Sequence, residues 1–72
     1  MRFLIETNHD GCYSTIMDNL VSKGLTHSKD QKGNFTSIEV LGSPDDFVHF
    51  KRIIDNYNQS ANRTCGIIIE GI

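Results

Sequence analysis

The residue types best suited to chemistry are concentrated in one polar loop, residues 8–14, and near the end of the chain. His9, Asp10 and Cys12 lie in the loop, and Cys65 follows much later. Imidazole nitrogen and thiolate sulfur bind zinc or copper, and a cysteine at a helix N-terminus can become nucleophilic. The spacing is far weaker than paired Cys-x-x-Cys motifs, and both cysteines also fit a small-residue role in a core. We therefore predict no catalytic residue, no metal and no cofactor.

The same loop is also suited to the capture of a small ligand. Gly11 allows the backbone to come close to a bound group, and a helix that follows presents free N–H groups. Arg63 adds positive charge if the last strand of the chain lies beside the first. The predicted ligand-binding residues are Asp10, Gly11, Cys12 and Arg63.

The loop follows a strand pattern. Phe3 and Ile5 alternate with polar neighbours and are predicted to face the core, as are Ile38 and Val40 in a later segment. A polar turn over residues 29–34, rich in Gly and Asn, predicts a hairpin. Alternation or β-branched composition predicts strands over residues 2–7, 25–28, 35–41 and 65–72.

Two segments show helical periodicity. In the first, Asp10 or Ser14 is suited to cap the N-terminus and Gly24 to end the helix. In the second, Ser43 is the predicted N-cap and Pro44 the first helical residue, with His49 facing outward. The predicted apolar stripes are Tyr13, Ile16, Met17, Leu20 and Val21 in the first helix, and Phe47, Phe50, Ile53, Ile54 and Tyr57 in the second.

The order strand, helix, strand, strand, helix, strand predicts one α+β domain over residues 1–72. Neither helix can bury its apolar stripe alone, so both are expected to cover the same face of a four-stranded antiparallel sheet. This is the ferredoxin-like βαββαβ two-layer sandwich. In that arrangement the first and third strands are central, and the last strand lies beside the first.

Composition limits the classes of partner. A net charge of −2 and a pI near 5.8 provide no general attraction to phosphate backbones. No apolar run approaches the roughly 20 residues that span a bilayer, and the first residues are too polar for a signal-peptide core. We expect a cytoplasmic protein with no membrane partner.

Two short sequences, Asp10-Gly11 before the first predicted helix and Lys23-Gly24-Leu25 at its end, resemble sequences of the ACT family of small-molecule sensing domains. Asp10-Gly11 stands where that family has a loop glycine before its first helix, and Lys23-Gly24-Leu25 is similar to its junction between helix and second strand. The order of elements matches over nearly the whole length. The resemblance implies side-by-side dimers that bind amino acids near Gly11 at the interface.

The sheet face that the helices leave open is the preferred functional surface. Counting alternate residues with Ile67 and Ile69 inward places Glu6, Glu39 and Glu70 on neighbouring strands of that face. Carboxylates among exposed aliphatic residues favour a basic, partly apolar protein partner or a second copy of the chain. The predicted partner-binding residues are Leu4, Glu6, Phe35, Glu39, Leu41, Ile68 and Glu70, and Ile72 falls on the same face.

These patterns favour a small non-enzymatic protein-interaction or regulatory module. Its size and its Asn, Ile and Asp usage also resemble the small accessory proteins of large bacteriophages, which implies a host protein as partner. An ACT-like ligand sensor is one alternative. RNA binding is another, because residues 32–35, Lys-Gly-Asn-Phe, resemble the start of a strand motif in RNA-recognition modules, although the paired aromatic residues of such modules are absent.

Overall fold

A computed structural model describes residues 1–71 and has the predicted order of elements. The strands form one antiparallel sheet in the order β2-β3-β1-β4, so that β1 and β3 are central and β4 lies beside β1. The ferredoxin-like α+β prediction is confirmed. The elements are β1 (Arg2–Thr7), α1 (Asp10–Lys23), β2 (Thr26–Lys32), β3 (Phe35–Leu41), α2 (Pro44–Ala61) and β4 (Gly66–Glu70).

The core lies between the two helices and one face of the sheet. Phe3 and Ile5 from β1 are fully buried, as are Ile38 and Val40 from β3, as predicted. The ring of Phe3 packs edge-on against Phe47, with centroids 5.6 Å apart. The buried helix residues that meet these strands are Cys12, Ile16 and Leu20 from α1, and Phe50 and Ile54 from α2. Neither helix within residues 1–71 is long and apolar enough to cross a bilayer.

Helix α1 begins at an unexpected cap. His9, rather than Asp10 or Ser14, is the N-cap, and its Nδ1 accepts a hydrogen bond from the Cys12 backbone N–H at 3.1 Å. A neutral imidazole nitrogen has the lone pair that this position requires. Gly24 ends the helix in the left-handed region, with φ of 67°, as predicted.

Two residues placed by helical periodicity lie elsewhere. Val21 is 70% exposed, because the buried stripe of α1 repeats every four residues through Cys12, Ile16 and Leu20 and leaves Val21 beside it. His49 of α2 does not face outward. Its Nε2 lies 2.9 Å from Asn19 Oδ1 on α1, so that it joins the two helices.

The hairpin is longer than predicted. Strand β2 continues to Lys32, and a two-residue turn of Gly33 and Asn34 connects it to β3. Gly33 has φ of 62°, which glycine adopts without strain. The prediction stopped at Ser28 because β2 buries few side chains and therefore lacks an apolar alternation.

Helix α2 begins as predicted. Ser43 and Asp46 form a capping box, in which Ser43 Oγ accepts from the Asp46 N–H at 3.2 Å and Asp46 Oδ2 accepts from the Ser43 N–H at 2.9 Å. Pro44 follows at the first helical position. The helix ends at Asn62, which has φ of 53°.

The face assignment of β4 was wrong by one residue. Ile68 lies opposite Ile5 and packs against the core, whereas Ile67 and Ile69 lie opposite Glu6 and Leu4. Because directly opposed residues share a face, Ile67 and Ile69 are on the open face and Ile68 and Glu70 are on the helix side. A run of three isoleucines has no alternation of its own, so the local sequence does not determine which of them face the core. The predicted position of Ile72 lies outside the described residues.

Candidate functional site

The structure separates the four residues predicted to bind a small ligand. Cys12 is fully buried, and Gly11 lies beneath the ring of His9, where an added Cβ would be 3.0 Å from a ring carbon. Asp10 lines a polar hollow of about 480 Å³ between α1 and the hairpin, whereas Arg63 lines a different hollow at the end of α2. The predicted ligand site is therefore not assembled as such.

The buried position of Cys12 also decides its chemistry. Burial raises the pKa of the Cys12 thiol above its ordinary value, an effect that a hydrogen bond with Thr7 opposes and the neighbouring Cys65 strengthens. The thiol is therefore held in its protonated form, which is neither a good nucleophile nor a metal ligand. Within residues 1–71, no group of three His, Cys, Asp or Glu side chains is arranged to hold a metal ion.

Cys65 does lie beside the end of β1, as the fold predicted. Its carbonyl oxygen accepts hydrogen bonds from Thr7 Oγ1 at 2.8 Å and from the Asn8 N–H at 3.2 Å. These bonds fix the start of β4 against β1. They also place the residues around Cys65 at one end of the open sheet face.

The open sheet face, formed by alternate residues of all four strands, carries large apolar side chains that no helix covers. Phe35 and Leu41 on β3 are 47% and 49% exposed, and Ile67 and Ile69 on β4 are 44% and 42% exposed. Leu4 lies between them on β1 and is half-buried. An apolar surface that crosses three neighbouring strands is typical of a site that contacts another molecule.

The charges on this face differ from the predicted cluster of three carboxylates. Arg2 Nε lies 3.2 Å from Glu39 Oε1, so that Glu39 is already paired. Glu70 lies opposite the buried Phe3 and belongs to the helix side. Glu6 remains on the open face and accepts a hydrogen bond from Ser37 Oγ at 3.0 Å. No Lys or Arg in the described part of the chain lies within ion-pair distance of Glu6.

Glu6 borders a hollow of about 340 Å³ at the Cys65 end of the open face. Ile67 lies directly opposite Glu6 on one neighbouring strand, and Phe35 stands on the other, two residues from Ser37, which is opposite Glu6 there. We call this hollow the Glu6 pocket. Its lining residues are Glu6, Asn8, Phe35, Thr64, Cys65, Gly66 and Ile67.

The Glu6 pocket combines apolar walls with an acidic group. Lys and Arg side chains have aliphatic stems that pack on apolar surface and a cationic end that binds a carboxylate. The ring of Phe35 adds a surface on which a guanidinium can stack. The pocket therefore has the chemistry to accept a basic side chain, and an arginine in particular.

The sequence predicted Glu6 and Phe35 as residues of the open face but missed the other five lining residues, Asn8, Thr64, Cys65, Gly66 and Ile67. The predicted face assignment puts Ile67 in the core, and Asn8 and Thr64 are polar residues of connecting segments without a motif. When β4 is paired with β1 from the buried Cys65 onward, Ile67 lies opposite Glu6. The position of Ile67 therefore follows from the pairing of β4 with β1 and not from the local sequence pattern of β4.

The surface is also relevant to the RNA-binding alternative. Phe35 is the only aromatic residue that the described strands place on the open face, where Arg2 and Lys32 stand among the carboxylates of Glu6 and Glu39. Recognition of single-stranded RNA depends on several stacked aromatic residues and on basic charge, so the single aromatic residue of this face gives the RNA-binding alternative little support. Comparison of the chain with protein-family models gives no match, and comparison with curated proteins gives none.

Proposed function

We propose that the protein is a non-enzymatic interaction module whose open sheet face binds a basic, partly apolar segment of a partner protein. The observation that carries this proposal is the Glu6 pocket, in which a carboxylate without a cationic partner stands between the exposed side chains of Phe35 and Ile67. An arginine of the partner enters the pocket. Apolar residues beside that arginine contact the rest of the face.

The distribution of apolar area supports a protein rather than a small molecule as the ligand. Leu41 and Ile69 extend the apolar surface away from the Glu6 pocket, toward the far ends of β3 and β4. Interfaces of this kind typically have a well-packed anchor surrounded by contacts that exclude water. The Glu6 pocket is the anchor, and the remaining apolar side chains form its surroundings.

The charge balance supports a basic segment. With Glu39 paired to Arg2, Glu6 is the carboxylate of the central strands that is free to meet a new cation. A hydrogen bond to a charged group contributes about 1.5–3 kcal/mol, which is enough to select a positively charged residue at this position. The resemblance in composition to bacteriophage accessory proteins favours a host protein as the source of that segment.

The proposal can be tested with short synthetic peptides before any partner is known. A capped peptide with one arginine between apolar residues is titrated into the isotopically labelled protein, and backbone amide resonances are followed by NMR. We expect shifts at Glu6, Phe35, Gly66 and Ile67. A peptide with citrulline in place of arginine keeps the shape but not the charge, so it should bind about tenfold or more weakly, the equivalent of about 1.5 kcal/mol or more.

Protein variants provide the matched control. Glu6→Gln should lower affinity for the arginine peptide by about tenfold or more, because it removes the charge but keeps the size of the side chain. Glu70→Gln makes the same chemical change on the helix side of the sheet and should leave the affinity unchanged. Equal binding of both peptides, or equal effects of the two substitutions, would exclude the Glu6 pocket as the anchor.

A further inference from the structure

The two edges of the sheet differ in how they are protected against further strand pairing. The outer strand β2 carries Lys29, Asp30 and Lys32, and charged side chains of this kind, lysine above all, discourage association at an edge. The outer strand β4 is instead a run of three isoleucines with no positive charge. Exposed edges of this composition readily pair with another strand. Strand β4 is therefore the edge open to a partner.

The hydrogen bonds show which backbone groups of β4 are free. Cys65 and Gly71 direct their backbone groups toward β1, since the Cys65 carbonyl accepts from Asn8 N–H at 3.2 Å and the Gly71 N–H donates to the Arg2 carbonyl at 3.1 Å. Residues alternate along an antiparallel ladder. Gly66, Ile68 and Glu70 therefore direct their N–H and C=O groups away from β1, toward the free edge.

Gly66 is already satisfied by a side chain. Asn58 Oδ1 accepts from the Gly66 N–H at 3.1 Å, and Asn58 Nδ2 donates to the Gly66 carbonyl at 3.0 Å. The amide of Asn58 thus takes the place that a neighbouring strand would occupy. It ends the accessible edge at Gly66 and, in the part of the chain that the structure describes, leaves Ile68 and Glu70 as the residues of β4 with free backbone groups.

We infer that two copies of the chain pair through their β4 strands, antiparallel, about a twofold axis at Ile69. In this register Ile68 of one copy is opposite Glu70 of the other, and every outward N–H and C=O of these two residues finds a partner. A register centred on Ile68 would instead set Glu70 against Gly66, whose groups Asn58 occupies. The side-chain clamp on Gly66 therefore selects between the two registers.

The pairing would also continue the open sheet face across the axis. The two copies of Ile69 would stand opposite each other in a pair without direct hydrogen bonds, where Cα atoms are about 4.5 Å apart. Each Ile67 would lie opposite Gly71 of the other copy, which has no side chain to obstruct it. The inference rests on the edge of β4 and does not depend on the proposed binding of arginine at Glu6.

Disulfide trapping tests the register. Ile69→Cys places two thiols within range of a disulfide, so oxidation by glutathione disulfide, which takes up the two electrons, should join the copies. Ile67→Cys changes an equally exposed isoleucine on the same face. Its two copies would lie about 14 Å apart along the strands, too far to be bridged. We expect at least about tenfold more covalent dimer from Ile69→Cys, while wild-type Cys12 and Cys65 remain buried.

Measurements on the wild-type protein test the same dimer without relying on the cysteine variants. Sedimentation should show a dimer at high concentration, and backbone hydrogen exchange at Ile68 and Glu70 should slow as the dimer forms. A protein that remains monomeric at millimolar concentration would overturn the inference. Cross-linking of Ile67→Cys as efficient as that of Ile69→Cys would also overturn it, because that result indicates face-to-face rather than edge-to-edge contact.

Discussion

Replacement of Asn58 by alanine should destabilise the fold more than the loss of one polar side chain usually does. The half-buried Asn58 holds the start of β4 through three hydrogen bonds, to the Cys65 N–H at 2.6 Å, the Gly66 N–H at 3.1 Å and the Gly66 carbonyl at 3.0 Å. Each such bond contributes about 0.5–1.5 kcal/mol net. Asn58→Ala should therefore lower the free energy of unfolding by about 2–4 kcal/mol.

Urea unfolding followed by circular dichroism measures this loss, and thermal unfolding should show a decrease in Tm of roughly 10–30 °C. Asn58→Asp retains the acceptor for both N–H groups but places a second carboxylate oxygen against the Gly66 carbonyl oxygen, where Nδ2 donates in the wild type at 3.0 Å, so it should destabilise the fold as well. Asn56→Ala changes an exposed residue of the same helix and should alter stability by no more than about 0.5 kcal/mol. If Asn58→Ala lowers the free energy of unfolding by less than about 1 kcal/mol, the hydrogen bonds of Asn58 do not hold the start of β4 in place.

Three further predictions concern separate parts of the fold. Gly66→Ala should cost about 1–3 kcal/mol in thermal unfolding, because an added Cβ would be 3.0 Å from the Glu6 carbonyl oxygen. Iodoacetamide should modify the buried Cys12 far more slowly in the native protein than in urea. The free energy of unfolding should also fall as pH rises from the ordinary thiol pKa of 9.0 through the raised pKa of Cys12 in the folded state, because the unfolded chain loses the thiol proton first. Ser43→Ala should cost about 1 kcal/mol. Hydrogen bonds from the Ser43 backbone and side chain hold the pKa of Asp46 below 3.8, so the wild-type protein should lose stability as pH falls through that lowered pKa. Ser43→Ala removes the side-chain bond and should make this loss smaller, which urea unfolding at several pH values measures.

Much of the architecture was predictable because several independent signals agreed. The alternation of β1 and β3, the Ser43-Pro44 helix start and the Gly24 helix end each predicted a local structure that the fold contains. Two amphipathic helices then required a sheet with one covered face. The strand order followed from the ferredoxin-like arrangement that this order of elements predicts, rather than from any single motif.

The errors occurred where the local pattern was ambiguous. The alternative cap at His9 depends on a ring nitrogen that accepts from the Cys12 N–H, which residue preferences for capping do not anticipate. In β2, pairing with β3 along the whole hairpin maintains the strand without an apolar face. For β4, three consecutive isoleucines give no alternation from which to assign a face, and Glu70 lies at the exposed end of an outer strand, where a charge is tolerated on either side.

Two walls of the Glu6 pocket were therefore predictable from the sequence, and the third was not. Glu6 and Phe35 were placed on the open face by the clear alternation of β1 and β3. The third wall of the Glu6 pocket required the register of β4, which is fixed by hydrogen bonds between Cys65, Thr7 and Asn8. Those contacts join residues far apart in the chain, so no local sequence pattern predicts them.

The isoleucines of β4 differ in what the fold requires of them. Ile68 packs against the core opposite Ile5, so an apolar side chain there stabilises the domain. Ile67 and Ile69 are 44% and 42% exposed on the opposite face, where threonine would maintain the strand equally well. Strand β2 shows that an outer strand of this same sheet folds with polar residues. The stability of the isolated domain therefore does not require Ile67 and Ile69 to be apolar, whereas the proposed contacts of the open face do.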